Sequence, residues 1–202
     1  MKTEKAQLVI QGLKEAGVDF AAGVPDARFI EVYKMLEEDP AIHYVGSANE
    51  AEATGIGFGA VELSVDRETG KVHVEKYVTA ADAGKALHPL QCKGQDEGSA
   101  MMGFGHTFYE TYHYDGGQII NSTLVDYKVP TFDDVPTEFE SILIEDANGP
   151  GPDGAKGLGE GGIIPVAPAV ANAIAWSTGA RVKSLPMTPE KVWRALKQTQ
   201  KE

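Results

Sequence analysis

Val61-Glu62-Leu63-Ser64-Val65-Asp66 alternates apolar and polar side chains, Arg67-Glu68-Thr69-Gly70 follows with turn chemistry, and Lys71 to Val78 resumes the alternation. A period of two puts successive side chains on opposite faces, and a glycine-ended turn between two such runs reads as a β-hairpin. The pattern differs on its two sides. Upstream, Ala6, Val9, Ile10, Leu13 and Ala16 recur at helical spacing before Gly17, and Val18 to Ala22 is a short strand-like run. Gly23-Val24-Pro25-Asp26 is a turn whose aspartate can cap the next helix, marked by Phe29, Ile30, Tyr33, Met35 and Leu36. Ile42 to Val45 reads as a second short strand. This helix–strand–helix–strand rhythm is that of an α/β layer. Downstream, Gln91–Glu110 reads as a helix interrupted by glycines, Ser141 to Glu145 as a strand and Asn148 to Gly154 as an irregular loop. Pro165 to Thr178 is an alanine-rich helix stopped by Gly179, and Thr188-Pro189-Glu190 opens a last helix. The expected fold class is α+β or mixed α/β: a hairpin within a mixed sheet packed with helices (residues 58–202), preceded by a small α/β segment (residues 1–57).

The 202 residues carry 18 Lys+Arg against 30 Asp+Glu, a formal charge of −12. A surface of that sign repels phosphate backbones and argues against nucleic-acid binding. With 42% hydrophobic and 24% charged residues the chain is globular in composition, not disordered. One cysteine, Cys92, excludes a disulfide framework, a thiolate zinc site and an iron–sulfur cluster held by this chain alone. No apolar run approaches the ~20 residues that cross a bilayer, and Met1 to Lys5 leads into an amphipathic segment unlike a signal peptide. The expected setting is soluble, reducing and cytoplasmic.

Chemistry concentrates in Gly154-Ala155-Lys156-Gly157-Leu158-Gly159-Glu160-Gly161-Gly162. Five glycines in nine residues let backbone pass close to a ligand, and one carboxylate sits among them just before an apolar helix. Shielding a carboxylate from bulk water makes it a better proton acceptor, which suits a general base. The plainer alternative is a flexible loop with a solvated glutamate. Three lesser constellations stand beside it. His106, Glu110 and His113, spaced four and three apart, could share one helical face toward a metal, although the interleaved aromatics equally fit a core helix. Cys92 reads as a small buried hydrophobe, and Asp133, Asp134, Glu138 and Glu140 as a solvated edge. Gly55-Ile56-Gly57-Phe58-Gly59-Ala60 satisfies G-x-G-x-x-A, but no apolar strand leads into it, which argues against a dinucleotide site.

The stretch Asp153 to Gly162, followed by Val166-Ala167-Pro168-Ala169-Val170-Ala171-Asn172-Ala173, resembles the C-terminal signature of the molybdenum hydroxylases: xanthine dehydrogenases, aldehyde oxidoreductases and aerobic carbon monoxide dehydrogenases. Further elements run in that family's order from about residue 58 to the end. They are Glu62 to Val72, Asp82-Ala83-Gly84-Lys85-Ala86-Leu87-His88-Pro89 (with His88 where asparagine is usual), Gly94-Gln95-Asp96-Glu97-Gly98, Asp126 to Thr131 and Leu185 to Glu190. The resemblance implies that Glu160 is the catalytic base toward the oxygen carried by molybdenum, and that Gln95 hydrogen-bonds the pterin. Gly94 belongs to the same cofactor-contacting element, while Lys156, Gly157, Leu158 and Gly159 would give backbone contacts near the metal. The implied cofactor is a molybdenum–pterin, as molybdopterin or its cytosine dinucleotide form, shared with a partner, with iron–sulfur clusters, with or without FAD, on other subunits. Only the last segment of a molybdenum-binding subunit is present, so the resemblance implies activity with other subunits of a hydroxylase complex. An aldehyde, purine or N-heteroaromatic would be the small-molecule substrate.

Residues 1–57 resemble a different family. Gly23-Val24-Pro25-Asp26 and Ala48-Asn49-Glu50-Ala51-Glu52-Ala53 look like the start of the pyrimidine-binding domain of thiamine-diphosphate decarboxylases of the sulfopyruvate type, in which Glu50 would protonate the cofactor's aminopyrimidine. The match ends near Ala60, and no Gly-Asp-Gly…Asn motif follows for diphosphate and magnesium. Two alternatives to an oxidoreductase subunit follow: a thiamine-dependent decarboxylase half-subunit, and a non-catalytic interaction domain.

Overall fold

In the computed structural model, residues 3–15, 20–23, 30–46, 57–147 and 152–199 are described. In chain order they form α1 (Thr3–Glu15), β1 (Phe20–Gly23), α2 (Ile30–Glu38), β2 (His43–Gly46), β3 (Gly57–Val65), β4 (Val72–Asp82), α3 (Pro89–Phe108), β5 (Tyr114–Asp115), β6 (Gln118–Ile119), β7 (Glu138–Ile144), α4 (Val166–Thr178) and α5 (Pro189–Thr199). The expected hairpin is β3–β4, closed by Asp66. Its backbone bonds Lys71 (2.9 Å) and Gly70 (2.7 Å), and its carboxylate accepts the N–H groups of Glu68 and Thr69. Those bonds hold the Asp66 carboxyl below the ordinary carboxylate range. Gly70 takes φ +75°, and a side chain there would also strike α5 at Trp193.

One sheet of order β2-β1-β3-β4-β7 runs through the described residues. The hairpin pairs antiparallel, β1 lies antiparallel to β3 through Ala22 and Gly59, and the outer pairs β1/β2 and β4/β7 are parallel. Parallel neighbours need a long crossover, which α3 and the chain after it provide between β4 and β7.

The two faces of the sheet have separate cores. On one side α1 and α2 bring Val9, Leu13, Val32 and Leu36 onto Phe58, Ala60, Val78, Ala80 and Ile144. On the other side α3, α4 and α5 pack Phe104, Val170, Ile174, Val192 and Leu196 against Val61 and Tyr77. A β-bulge reconciles this with the sequence pattern. Glu62 pairs with Lys76 but Leu63 pairs with Val74, leaving Glu75 as an extra residue. Even-numbered Val72 and Val74 therefore share a face with odd-numbered Tyr77 and Thr79, where strict alternation would have separated them.

The helix read as interrupted by glycines is continuous from Pro89 to Phe108, and two of its glycines serve packing: a side chain at Gly103 would strike Val166 of α4, and one at Gly105 would strike Glu110. The strand at Gly57 begins within Gly55–Ala60 and belongs to the hairpin. The turn residues Val24 to Asp26, the stretch Ala48 to Ala53 with Glu50, and Asn148 to Gly151 lie outside the described residues. Asp134 is not a simple solvated edge. It accepts from the backbone and hydroxyl of Thr131 (2.7 and 2.9 Å) and from the Tyr109 hydroxyl (2.6 Å).

A polar knot lies between sheet and α3. Asp96 is buried and its carboxylate accepts from Ser141 Oγ of β7 (2.7 Å) and Thr79 Oγ1 of β4 (3.2 Å). Thr79 and Ser141 are register partners, so neighbouring strands present both hydroxyls to one carboxyl. Desolvation outweighs those two bonds and raises the Asp96 pKa above its ordinary value. Beside it the buried Tyr77 hydroxyl, above Gly59, has no hydrogen-bond partner among the described residues.

Two outcomes test this architecture. Leu36→Ala, in α2, should cost about 2–5 kcal/mol of stability. Both tryptophans, Trp176 and Trp193, lie in α4 and α5 on the opposite face. Their fluorescence should report the same lowered urea midpoint as far-UV circular dichroism, whereas an unchanged tryptophan midpoint would show that the first layer unfolds as its own unit. For Asp96, a raised pKa means that the folded chain binds this proton more tightly than the unfolded chain. The stabilisation is full below the unfolded carboxyl pKa of about 3.9 and is lost as pH rises through the folded value. The stability penalty of Asp96→Asn should therefore shrink with rising pH in denaturation series; a penalty that grows would contradict it.

Candidate functional site

The C-terminal end of β4 and the N-terminal end of α3 meet the glycine-rich loop. Asp82, the last residue of β4, accepts from the Gly84 N–H (2.9 Å) and forms an ion pair with Lys156. Both side chains are buried, 7% and 3% exposed. Two backbone bonds lace the segments together, Lys156 N–H to the Ala83 carbonyl (3.0 Å) and Lys85 N–H to the Gly154 carbonyl (3.2 Å). Gly84, at φ +62°, lies so close to Gly154 and Lys156 that any side chain would block this docking. Lys85 and the Ala86 N–H converge on Glu145 (3.0 and 3.1 Å) and hold its carboxyl below the usual range.

α3 starts with His88 as its cap, whose Nδ1 accepts from the Gln91 N–H at 3.3 Å, and Pro89 follows in the first turn. His88 thus fills the acceptor role expected of an asparagine at a helix N-terminus. One and a half turns on, Gln95 donates from Nε2 to the Gly159 carbonyl at 2.8 Å. This bond joins two segments 64 residues apart and leaves the amide oxygen and the second N–H of Gln95 exposed.

The glycines at this edge divide by role. A Cβ at Gly94, Gly98, Gly157 or Gly159 would meet nothing within 4 Å, so these backbones border open space. A Cβ at Gly162 would strike Ser99 Oγ and approach Asp96 Oδ1 to 3.0 Å, and one at Gly57 would strike the Gly161 carbonyl. The first set presents bare backbone outward and the second seats the loop on sheet and helix.

The structure brings the sequence-derived residues together. Gln95, Gly94, Gly157 and Gly159 form one exposed edge, with Leu158 half-buried beneath it. Glu160 is exposed next to the carbonyl that Gln95 binds, and its own carbonyl accepts from the Ile163 N–H (3.0 Å) in the turn leading to α4. The Lys156 ammonium pairs with Asp82 and its N–H bonds the Ala83 carbonyl, so this residue also supports the loop. Sequence reasoning missed Asp82 as its partner and Asp96 as the anchor of α3. No spacing in the sequence links Asp82 to Lys156, 74 residues on, or marks Asp96 as buried beside the exposed Glu97.

The three-residue metal face does not form. α3 ends at Phe108, so Glu110 and His113 do not continue its surface, and no cluster of three or more metal-ligating side chains exists among the described residues. Glu110 instead accepts from the Tyr127 hydroxyl (2.7 Å), a bond that pushes the phenol up to about 12, and lies 3.7 Å from His106. Cys92 is half-buried in α3. No described helix is long and apolar enough to cross a membrane.

An exposed rim of side-chain-free backbone, an amide with free donor and acceptor, and one adjoining carboxylate fit a flat, polar, hydrogen-bonding group such as a pterin. A family model, the molybdopterin cofactor-binding domain, matches residues 11–136, more than half of the chain. The gamma subunit of the 6-hydroxypseudooxynicotine dehydrogenase complex of Paenarthrobacter nicotinovorans is 36% identical over 149 residues, 72% of this chain and 19% of that protein. A putative xanthine dehydrogenase molybdenum-binding subunit of Escherichia coli is 38% identical over 135 residues, 66% of this chain and 18% of that one. Among solved structures, the aldehyde oxidoreductase of Desulfovibrio desulfuricans superposes with a TM-score of 0.63 at 35% identity, covering 69% of this chain and 15% of that one. Quinoline 2-oxidoreductase of Pseudomonas putida gives 0.62 at 30% identity, covering 70% and 18%. The chain thus spans less than a quarter of the length of each of these relatives. With the ordered motifs, the fold and the family model in agreement, this chain belongs to the molybdopterin cofactor-binding domain family, that of the molybdenum-binding subunits of xanthine dehydrogenases and aldehyde oxidoreductases.

Proposed function

We propose that this chain supplies the base-bearing edge of a molybdenum hydroxylase site, acting with partner subunits in the cytoplasm on an aldehyde, purine or N-heteroaromatic substrate. The observation that carries this reading is the Gln95–Gly159 hydrogen bond, which sets both glycine-bordered segments on one open edge beside Glu160. A molybdenum–pterin cofactor held there would supply oxygen-transfer and two-electron redox chemistry. Gly94, Gly157, Leu158 and Gly159 offer backbone to the cofactor, and Gln95 offers its remaining N–H and its amide oxygen. Lys156, paired with Asp82, fixes the height of that backbone. Glu160 receives, on a carboxylate oxygen, the proton that must leave before an oxygen can act as nucleophile. Its exposure in the lone chain suits a residue whose far wall comes from another polypeptide. That polypeptide would complete the enclosure, and other subunits of the complex would carry the iron–sulfur clusters, with or without FAD.

Two substitutions test these roles. Glu160→Gln, in the complex purified from the native host, should keep molybdenum at the wild-type ratio while turnover with aldehydes, purines and N-heteroaromatics falls by about 10²–10⁴. Undiminished turnover would end the assignment. Lys156→Met strands Asp82 as a buried, unpaired carboxylate and should cost about 3–5 kcal/mol of stability. Adding Asp82→Asn should recover part of the loss and part of the molybdenum content; a single variant as stable and as fully loaded as wild type would show that the pair does not position the loop.

A further inference from the structure

The chain between α3 and β7 inverts the usual order of burial. Ten of the eighteen exposed large hydrophobic side chains among the described residues fall within residues 109–135, including Tyr114, Ile120, Leu124, Val125 and Phe132. Phe132 is 91% exposed and Leu124 and Val125 are each 74% exposed. The only buried residue of this stretch is polar: Asn121, whose amide accepts from the His113 N–H and donates to the Thr111 carbonyl, both at 2.8 Å. The Tyr112 and Tyr127 rings stack at 4.8 Å, and Tyr109 and Tyr127 bond Asp134 and Glu110. Side-chain and backbone bonds thus hold the arm in shape while its apolar groups point outward. An outward apolar surface of this extent marks an interaction site in a soluble fold.

We propose that this arm is the surface on which the rest of the molybdenum-binding subunit, supplied by a partner polypeptide, docks through an apolar segment flanked by basic side chains. The inference rests on the functional reading above and adds to it the place of contact. Charge selects this occupant over a second copy of the chain. The arm carries five carboxylates, Glu110, Asp115, Asp126, Asp133 and Asp134, against the single Lys128, in a chain of net −12. A two-fold interface would set like charge against like, whereas a basic partner is attracted. At the base of the arm a cleft of about 590 Å³ is lined by Lys71, Phe108, Tyr109, Asp133, Asp134 and Val135. Aromatic walls beside the Asp133 carboxylate suit an arginine, whose stem packs on rings while its guanidinium meets that acid. This cleft adjoins Val72 at the start of β4, whereas Asp82 and the glycine loop lie at the other end of that strand, so docking here leaves the Glu160 edge open to the cofactor.

The test uses the tagged full chain purified from its native host, with copurifying polypeptides sequenced by mass spectrometry and molybdenum measured by atomic emission. The expected wild-type complex contains molybdenum and a polypeptide of the molybdenum-binding family. Phe132→Asp and Leu124→Asp should each lower recovery of that polypeptide by about tenfold or more, and raising sodium chloride should weaken the wild-type complex. Leu8→Asp, at an exposed apolar site on α1, serves as control and should leave the complex intact, and all three variants should keep the wild-type melting temperature. A molybdenum-containing complex that survives both arm substitutions overturns the docking surface and leaves the functional reading standing. Homodimers that dissociate on Phe132→Asp overturn it in favour of a second copy. Wild-type chain with neither molybdenum nor such a polypeptide overturns the functional reading and the surface with it.

Discussion

The buried ion pair between Asp82 and Lys156 is the constraint on which the site depends. A glycine-rich loop has little enthalpy of its own to choose one conformation, and glycine gives up more backbone entropy on ordering than other residues. Something must hold it. Here the end of the central strand offers a carboxylate, the loop offers an ammonium, and both lie out of water. Such a pair adds little stability compared with an apolar packing of the same size, but its geometry is demanding and breaking it is costly. It therefore serves register: with Lys156 fixed, Gly157 and Gly159 must emerge at the edge where Gln95 waits.

That edge is positioned by a sheet covered on both faces near its centre. α1 and α2 cover one side and α3, α4 and α5 the other, so the first half of β3 and the second half of β4 are buried on both. The bulge at Glu75 makes this possible by letting β4 change which side chains face which core partway along its length. Asp96 then ties α3 to two adjacent strands through Thr79 and Ser141, while Gln95, directly before it, reaches the loop. A buried carboxyl facing the sheet and an exposed amide on consecutive residues tie the packing of α3 to the place of the loop.

Much of this was legible in the sequence, for identifiable reasons. Alternation around Arg67–Gly70 gave the hairpin because period two survives any tertiary context, and Thr188-Pro189 and Gly179 marked helix ends by local chemistry alone. The convergence of Gln95 with the Gly157–Gly159 run followed from the resemblance of both to one family's motifs, not from spacing. Four things were not legible. The bulge is set by cross-strand pairing. The continuity of α3 through its glycines depends on close approach to α4 at Gly103. The end of that helix at Phe108, which dissolves the His106–Glu110–His113 face, goes with the contacts of the arm beyond it, where Glu110 bonds Tyr127. The sharing of a single sheet by segments that read as separate at residue 57 depends on a strand pairing, Ala22 with Gly59, that no local pattern records.

The account treats an exposed glutamate as a base because its surroundings are built for contact: bare backbone, a half-satisfied amide and a rigid support lie immediately beside it. Anomalous diffraction at the molybdenum edge, from crystals of the complex isolated from the native host, tests this directly. The expected result is a molybdenum peak beside the Glu160 carboxylate, with the pterin against Gln95 and the Gly157–Gly159 backbone. A peak elsewhere in the complex, with Glu160 still open to solvent, would contradict it.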